Sequence, residues 1–208
     1  MAGHKTHSAA GVAIAAVLAG TTTLVGSIPP AQQPLLLACG MAAGLAPDLD
    51  SDTSRPLMIL KSAVGVAVVG AVLVDSLSQG LPTPDVVART GLALGLVTLL
   101  FVVFTRLTVH RGIMHSVPFV CLWALLTMQA THTFGGALSL AAGLVALIAG
   151  LGHLVLDELW SIELRGGLVP RLKPTFGTAF KFWSGSVLAT LVCYAGLAGM
   201  LWLQVSRT

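Results

Sequence analysis

Apolar stretches alternate with short polar stretches along the whole chain. Several of the apolar stretches reach the ~18 to 20 residues that a helix needs to cross a bilayer. The polar stretches between them contain Pro and Gly, which interrupt helices and favour turns, as in "SIPPAQQP" and "SQGLPTPD". The pattern predicts seven hydrophobic helices, at about residues 8–26, 34–46, 57–74, 90–108, 116–131, 136–156 and 182–203.

The second apolar stretch, "PLLLACGMAAGLAP", is shorter than the others. A segment of this length is compatible with a tilted or buried span, or with a re-entrant segment that returns to the side from which it entered. The sequence leaves both alternatives open.

Composition places the chain in the membrane class. Only 9% of its 208 residues are charged, whereas soluble domains have about 25%. We therefore expect an all-α polytopic transmembrane bundle that forms a single integral membrane domain over residues 1–208. The N-terminal "MAGHKTHSAAG" leads into the first apolar stretch without an obvious cleavage region, so we expect no cleavable signal peptide. The three cysteines lie far apart in apolar stretches and indicate small core residues without a disulfide framework.

The basic residues predict the orientation in the membrane. If all seven stretches cross, nine basic residues lie on the side of the N-terminus and only Arg89 and Arg207 on the other. Positive residues concentrate on the cytoplasmic side of membrane proteins, so we expect a cytoplasmic N-terminus. The nine are Lys5, Arg55, Lys61, Arg106, Arg111, Arg165, Arg171, Lys173 and Lys181.

Most imidazoles and carboxylates fall on that same side. Only His132, Asp75 and Asp85 lie opposite. In "HLVLDEL" the His and the Asp are four residues apart, so they share a helix face. In "APDLDSD" the first two aspartates are two apart, and in "HRGIMHS" the Gly permits a bend that lets both histidines face one centre. The residues concerned are His4, His7, His110, His115, His153, Asp48, Asp50, Asp52, Asp157, Glu158 and Glu163.

Each of these groups has a simpler explanation when taken alone. A loop histidine is commonly solvated, Asp48 and Asp50 could cap the next helix, and Ser116 is typical of a helix N-cap. Their concentration on one membrane face favours a shared site. Imidazole with carboxylate is the ligand set of Zn²⁺, Mn²⁺ or Fe²⁺, so we expect one or two divalent transition metal ions, with zinc or manganese preferred.

The motifs "THSAAG", "PDLDSD", "HRGIMHS" and "HLVLDEL" together resemble the YdjM-like family of bacterial inner-membrane proteins, described as metal-dependent hydrolases. The resemblance implies a multi-pass protein of the bacterial inner membrane. Members often have a histidine after the Pro-Asp-x-Asp motif, where Ser51 and Asp52 stand here. Carried over to this sequence, the family pattern implicates His7, Asp48, Asp50, His110, Arg111, His115, His153 and Asp157 as metal ligands or catalytic residues.

The expected function is a metal-dependent hydrolase at the cytoplasmic membrane surface. Arg111 and Asp157 would assist catalysis, because a guanidinium suits a phosphate and a carboxylate can orient a ligating histidine. A site at the membrane surface favours an amphiphilic substrate such as a lipid phosphoester. The basic and aromatic segment 159–183 could lie on the membrane beside it.

Two alternatives use the same residues. A metal-ion or proton transporter would place polar residues at mid-depth in several helices, but the apolar stretches are nearly free of them. A structural metal that ties the loops together is the other. The net charge of +3 is too small to indicate nucleic-acid binding. The sequence does not predict the oligomeric state.

Overall fold

The computed structural model describes residues 3–50, 55–107, 112–165, 169–173, 177–178 and 180–206. Within these residues the chain forms seven α-helices, which confirms the all-α bundle. Six of the helices are long and apolar enough to cross a membrane, α5 together with the 3-10 turn that follows it. The helices are α1 (His4–Leu24), α2 (Gln33–Leu45), α3 (Arg55–Ser78), α4 (Thr83–Leu107), α5 (Val117–Thr131), α6 (Gly136–Leu159) and α7 (Val187–Val205).

The short helix α2 runs antiparallel to α1. At one end of the pair the Gln33 side chain donates a hydrogen bond to Thr23, and at the other end Gly44 packs against the backbone of His7. The chain therefore returns along α2 to the end of the bundle at which α1 begins. A 3-10 turn on either side, Pro30–Gln32 and Ala46–Asp50, extends the 13-residue helix. The second segment thus runs along α1 from one end of the pair to the other, and with 13 helical residues it is not among the six helices long enough to cross a membrane.

Glycines allow α1 and α2 to approach backbone to backbone. A Cβ atom at Gly11 would overlap the carbonyl oxygen of Gly40, and a Cβ atom at Gly40 would overlap that of Gly11. A Cβ atom at Gly44 would lie 2.6 Å from the carbonyl oxygen of His7. Small residues at such spacing are how transmembrane helices pack closely without a hydrophobic driving force. This contact fixes the first turns of α1 beside the last turn of α2.

Helix α6 lies at the centre of the bundle and packs on α1, α2 and α5. The contacts are again between small residues, with Ala43 of α2, Ala124 of α5 and Ala146 of α6 in one buried cluster. Helices α3 and α4 form a pair of their own at the edge of the bundle.

A two-stranded antiparallel hairpin connects α6 to α7. Its strands are β1 (Ile162–Arg165) and β2 (Val169–Leu172). The sequence predicted only a membrane-surface segment here, because strands of four residues are too short for their pattern to stand out. After the hairpin, the Lys181 carbonyl accepts a hydrogen bond from the Val117 amide at 3.1 Å, which ties the segment to the start of α5.

Candidate metal centre

Four separate parts of the chain converge at one end of the bundle. His7 lies in the first turns of α1, and Asp48 lies in the 3-10 turn after α2. His115 lies just before α5, while His153 and Asp157 lie one turn apart near the end of α6. The structure thus brings together five of the side chains that the sequence singled out.

The two carboxylates and three imidazoles surround one point. The nearest oxygen of Asp157 lies 3.3 Å from Nε2 of His7, 3.7 Å from Nε2 of His115 and 3.8 Å from Nε2 of His153. Asp48 Oδ1 lies 3.7 Å from Nε2 of His115 and 3.8 Å from Nε2 of His153. These separations exceed the ~2.7–3.2 Å of ordinary N–H···O hydrogen bonds. Two atoms that each bind one ion at about 2.1 Å, near the tetrahedral angle, lie roughly 3.4 Å apart.

These side chains are almost fully buried. The exposed fraction of the side chain is 0% for His7 and His153, 2% for His115 and 3% for Asp157. Within the described residues, both nitrogens of His7, Nε2 of His153 and both oxygens of Asp157 have no hydrogen-bond partner. A buried carboxylate is costly unless it pairs with positive charge or binds a metal. The donor set therefore fits a cation.

The orientation of His153 supplies the most specific observation. Its Nδ1 lies 2.7 Å from the carbonyl oxygen of Gly44, and a carbonyl can only accept, so Nδ1 carries the proton. In the neutral ring Nε2 then presents its lone pair to the oxygens of Asp48 and Asp157. A lone pair facing carboxylate oxygens is repulsive unless a proton or a metal ion lies between them, and separations of 3.8 Å are too long for a shared proton. A hydrogen bond to the second ring nitrogen is also how proteins orient metal-ligating histidines.

The other two imidazoles are arranged around His153. The ring of His7 stacks on it with centroids 3.6 Å apart and planes 18° apart. The ring of His115 meets it edge-on, with centroids 5.4 Å apart. Two buried imidazolium cations would repel each other in the stacked pair, so this arrangement favours neutral rings, which is the state that binds metals.

Asp48 is the most accessible of the five, with 17% of its side chain exposed. Burial raises the pKa of its carboxyl, the neighbouring His115, His153 and His7 lower it, and the net shift of the pKa is downward. The carboxyl is therefore ionised at neutral pH, as a ligand must be. Of the five side chains, Asp48 therefore has the most contact with solvent.

Ser116 positions His115 at the start of α5. Its hydroxyl accepts a hydrogen bond from the Phe119 amide at 3.4 Å, and Pro118 occupies the first turn. This confirms the predicted N-cap. The cap ends the preceding loop at a fixed place and so sets where the His115 ring enters the bundle.

Several predicted site residues lie elsewhere or outside the described part. His4 belongs to neither of the two groups of described side chains that could hold a metal ion. His132 lies at the opposite end of α5 from His115. The side chain of Asp50, and Asp52, His110 and Arg111 entirely, fall outside the described residues.

Sequence reasoning missed Gly44, whose carbonyl orients His153 and whose Cα lets α1 approach. The signal was present as a Gly-x-x-x-Gly pattern formed by Gly40 and Gly44 in an apolar stretch. The pattern points to close helix packing, but a backbone acceptor leaves no mark of its own in the sequence.

The two groups of side chains that could hold a metal ion share one residue. They are His7, Asp48 and His153, and His115, His153 and Asp157. Because the Nδ1 of His153 is committed to Gly44, its single remaining lone pair can bind one ion only. The geometry therefore favours one ion that draws on both groups. Three imidazoles and two carboxylates suit Zn²⁺, Mn²⁺ or Fe²⁺ better than the all-oxygen sites of Ca²⁺ and Mg²⁺.

Comparison with known proteins agrees with the motifs. The family model described as YdjM inner membrane protein matches residues 1–207, which include all five side chains of the centre. No curated protein and no solved structure matches the chain.

Proposed function

We propose that this chain, which belongs to the YdjM inner membrane protein family, is a membrane-bound hydrolase that depends on a divalent transition metal. The centre lies at the cytoplasmic face, with the N-terminus in the cytoplasm, because the topology predicted from the sequence assigns nine of eleven basic residues to that side. The substrate is a phosphoester of a membrane lipid.

The observation that carries the proposal is the lone pair of His153 Nε2 aimed at two carboxylates. Gly44 fixes this tautomer, and the surrounding oxygens of Asp48 and Asp157 lie 3.8 Å away. A merely structural cluster of His and Asp would instead direct N–H groups at the carboxylates. Because Nε2 of His153 carries no proton in this tautomer, Asp157 cannot orient His153 by accepting a hydrogen bond from it. We therefore assign Asp157 as a metal ligand.

A divalent ion in this centre would activate water for attack and polarise the bond to be broken. In the reaction an oxygen–phosphorus bond forms to water, the ester oxygen–phosphorus bond breaks, and the proton leaves with the alcohol. The buried imidazoles would hold the ion, and Asp48 is the most exposed of the five side chains. Arg111, which follows His110 in the sequence, is assigned to the negative charge of the phosphoryl group.

The position of the centre supports an amphiphilic substrate. It lies at the ends of spanning helices, at the level where lipid headgroups meet water. Exposed aromatic residues at the same end, Trp160, Phe182 and Trp183, are typical of the membrane interface. A phosphoester in the membrane surface would therefore reach the centre without leaving the bilayer.

The test is hydrolysis by the full chain reconstituted in liposomes with lipid phosphates and phospholipids. We expect phosphate or headgroup release that requires added Zn²⁺ or Mn²⁺ and is lost in His115→Ala. Arg111→Lys should keep the metal and lose about tenfold to thousandfold in turnover, because Lys cannot make the bidentate contact. His132→Ala, at the far end of α5, is the matched control and should retain activity.

The transporter alternative predicts a different result in the same liposomes. Metal flux across the bilayer without hydrolysis of any lipid would contradict the hydrolase and favour transport. Hydrolysis that persists in His115→Ala would show that the reaction does not use this centre.

A further inference from the structure

An apolar cavity of about 430 Å³ opens between the α3–α4 pair and α5. Its volume lies within the roughly 300–1,000 Å³ of ligand pockets. Its walls include Val64 of α3, Leu100 and Phe101 of α4, and Trp123 of α5. The lining contains almost no polar atoms, so the cavity suits a hydrocarbon chain.

Two residues of the cavity wall are neighbours in sequence of side chains in the metal centre. Leu49 and Met114 line it, and each directly follows or precedes a side chain of the centre, Asp48 and His115 respectively. With a hydrocarbon chain in the cavity, the attached headgroup would lie toward the end of the bundle that holds the centre, where Asp48 is the most exposed of the five side chains.

A cation lies beside the same cavity. The Lys61 ammonium lies 5.8 Å from the centroid of the Phe101 ring, over a side chain that forms part of the cavity wall. Lys61 lies in the second turn of α3, which begins at the same end of the bundle as the centre. The positive charge of Lys61 complements an anionic headgroup beside the apolar cavity.

We propose that this cavity binds one hydrocarbon chain of an anionic phospholipid, with the headgroup held between Lys61 and the metal centre. The inference rests on the proposed function for what happens to the headgroup, but the binding of the chain stands on the cavity and on Lys61. Ordinary bilayer lipid filling a gap between helices is the competing explanation, and it predicts no dependence on headgroup charge.

The test is photo-cross-linking of the full chain in vesicles of phosphatidylethanolamine and phosphatidylglycerol, with chelator present so that no turnover occurs. The probe is phosphatidic acid with a diazirine in one acyl chain. We expect labelling of α3, α4 and α5, reduced about tenfold by Val64→Trp, because the larger side chain fills the cavity. Val66→Trp, on the lipid-facing side of the same helix at 74% exposure, should label like the parent.

A second matched pair guards against misfolding of one variant. Leu100→Trp should reduce labelling while Leu99→Trp should not, since only Leu100 lines the cavity. Lys61→Gln should weaken labelling by phosphatidic acid but leave labelling by the uncharged diacylglycerol probe unchanged.

The proposed lipid-chain site would be overturned if the cavity variants, Val64→Trp and Leu100→Trp, were labelled as strongly as the control variants. Equal labelling of the parent by the diacylglycerol and phosphatidic acid probes would also overturn it. Hydrolysis that is unaffected by Val64→Trp would also overturn it while leaving the hydrolase intact. Cavity-dependent labelling in a protein that hydrolyses no lipid would uphold the chain site and contradict the proposed function.

Discussion

The substitution Gly44→Ala should weaken metal binding although it replaces none of the proposed metal ligands. The Cβ atom of an alanine would lie 2.6 Å from the carbonyl oxygen of His7, whereas ordinary contact begins at 3.4 Å. The first turns of α1 must therefore move by about 0.8 Å. Metal sites tolerate deviations of about 0.2 Å in their ligand distances, so His7 would be displaced from the centre.

The expected loss of metal affinity is similar to that caused by removing a hydrogen-bond partner that orients a ligand. We expect the Kd for Zn²⁺ to rise about 10- to 100-fold in Gly44→Ala, because the substitution shifts both His7 and the carbonyl that holds His153. The overpacked interface should also lower stability, by about 1–3 kcal/mol. Competition with a chelating fluorophore on the purified chain in detergent measures the Kd.

Gly65→Ala is the matched control, since a Cβ atom there meets nothing within 4 Å. It lies inside α3, where alanine is the better helix former, so it should bind metal like the parent and be no less stable. An unchanged Kd in Gly44→Ala, measured on protein that elutes as one species, would refute the argument that the α1–α2 contact positions the centre.

Three further outcomes test other parts of the account. With the native cysteines replaced, a cysteine at Gly177 should react only with membrane-permeant reagents in intact cells and one at Gln79 also with impermeant ones; the reverse would contradict the cytoplasmic N-terminus. Asp157→Asn should raise the Kd for metal by more than about 100-fold, since we assign it as a ligand, and a smaller rise would indicate an orienting role. Ser116→Ala should lower the free energy of unfolding by about 0.5–2 kcal/mol in thermal unfolding, and no change would show that the cap contributes nothing.

The helices could be predicted from hydrophobicity. The common location of the site residues at one end of the bundle could be predicted from the alternation of loops between the two sides of the membrane. Apolar stretches of about spanning length predicted six of the helices, and the shorter second stretch predicted α2. The alternation of loops across the membrane placed His7, Asp48, His115 and His153 on one side. The short second stretch remained ambiguous because length and charge do not distinguish a crossing from a re-entrant segment. The contacts of Gly44 with His7 and of Gln33 with Thr23, at opposite ends of α1, show that α2 runs along the length of α1.

Other features depend on packing that no local pattern encodes. The carbonyl of Gly44 acts through its position, which exists only once α2 and α6 are side by side. The cavity beside Met114 is a gap between helices, and its lining residues read in sequence as ordinary lipid-facing or core positions. The hairpin from Ile162 to Leu172 was missed because each strand has only four residues, so the alternation of Ile162, Glu163, Leu164 and Arg165 is too short to stand out.

The central claim is that the buried His and Asp side chains hold a transition metal ion. The direct measurement is elemental analysis of the purified chain after incubation with Zn²⁺, Mn²⁺ and Fe²⁺ and removal of free metal, in parent and His153→Ala. We expect about one ion per chain in the parent and a near-complete loss in the variant, because the site depends on this ligand. A parent without bound metal, or a variant with as much as the parent, would contradict the claim.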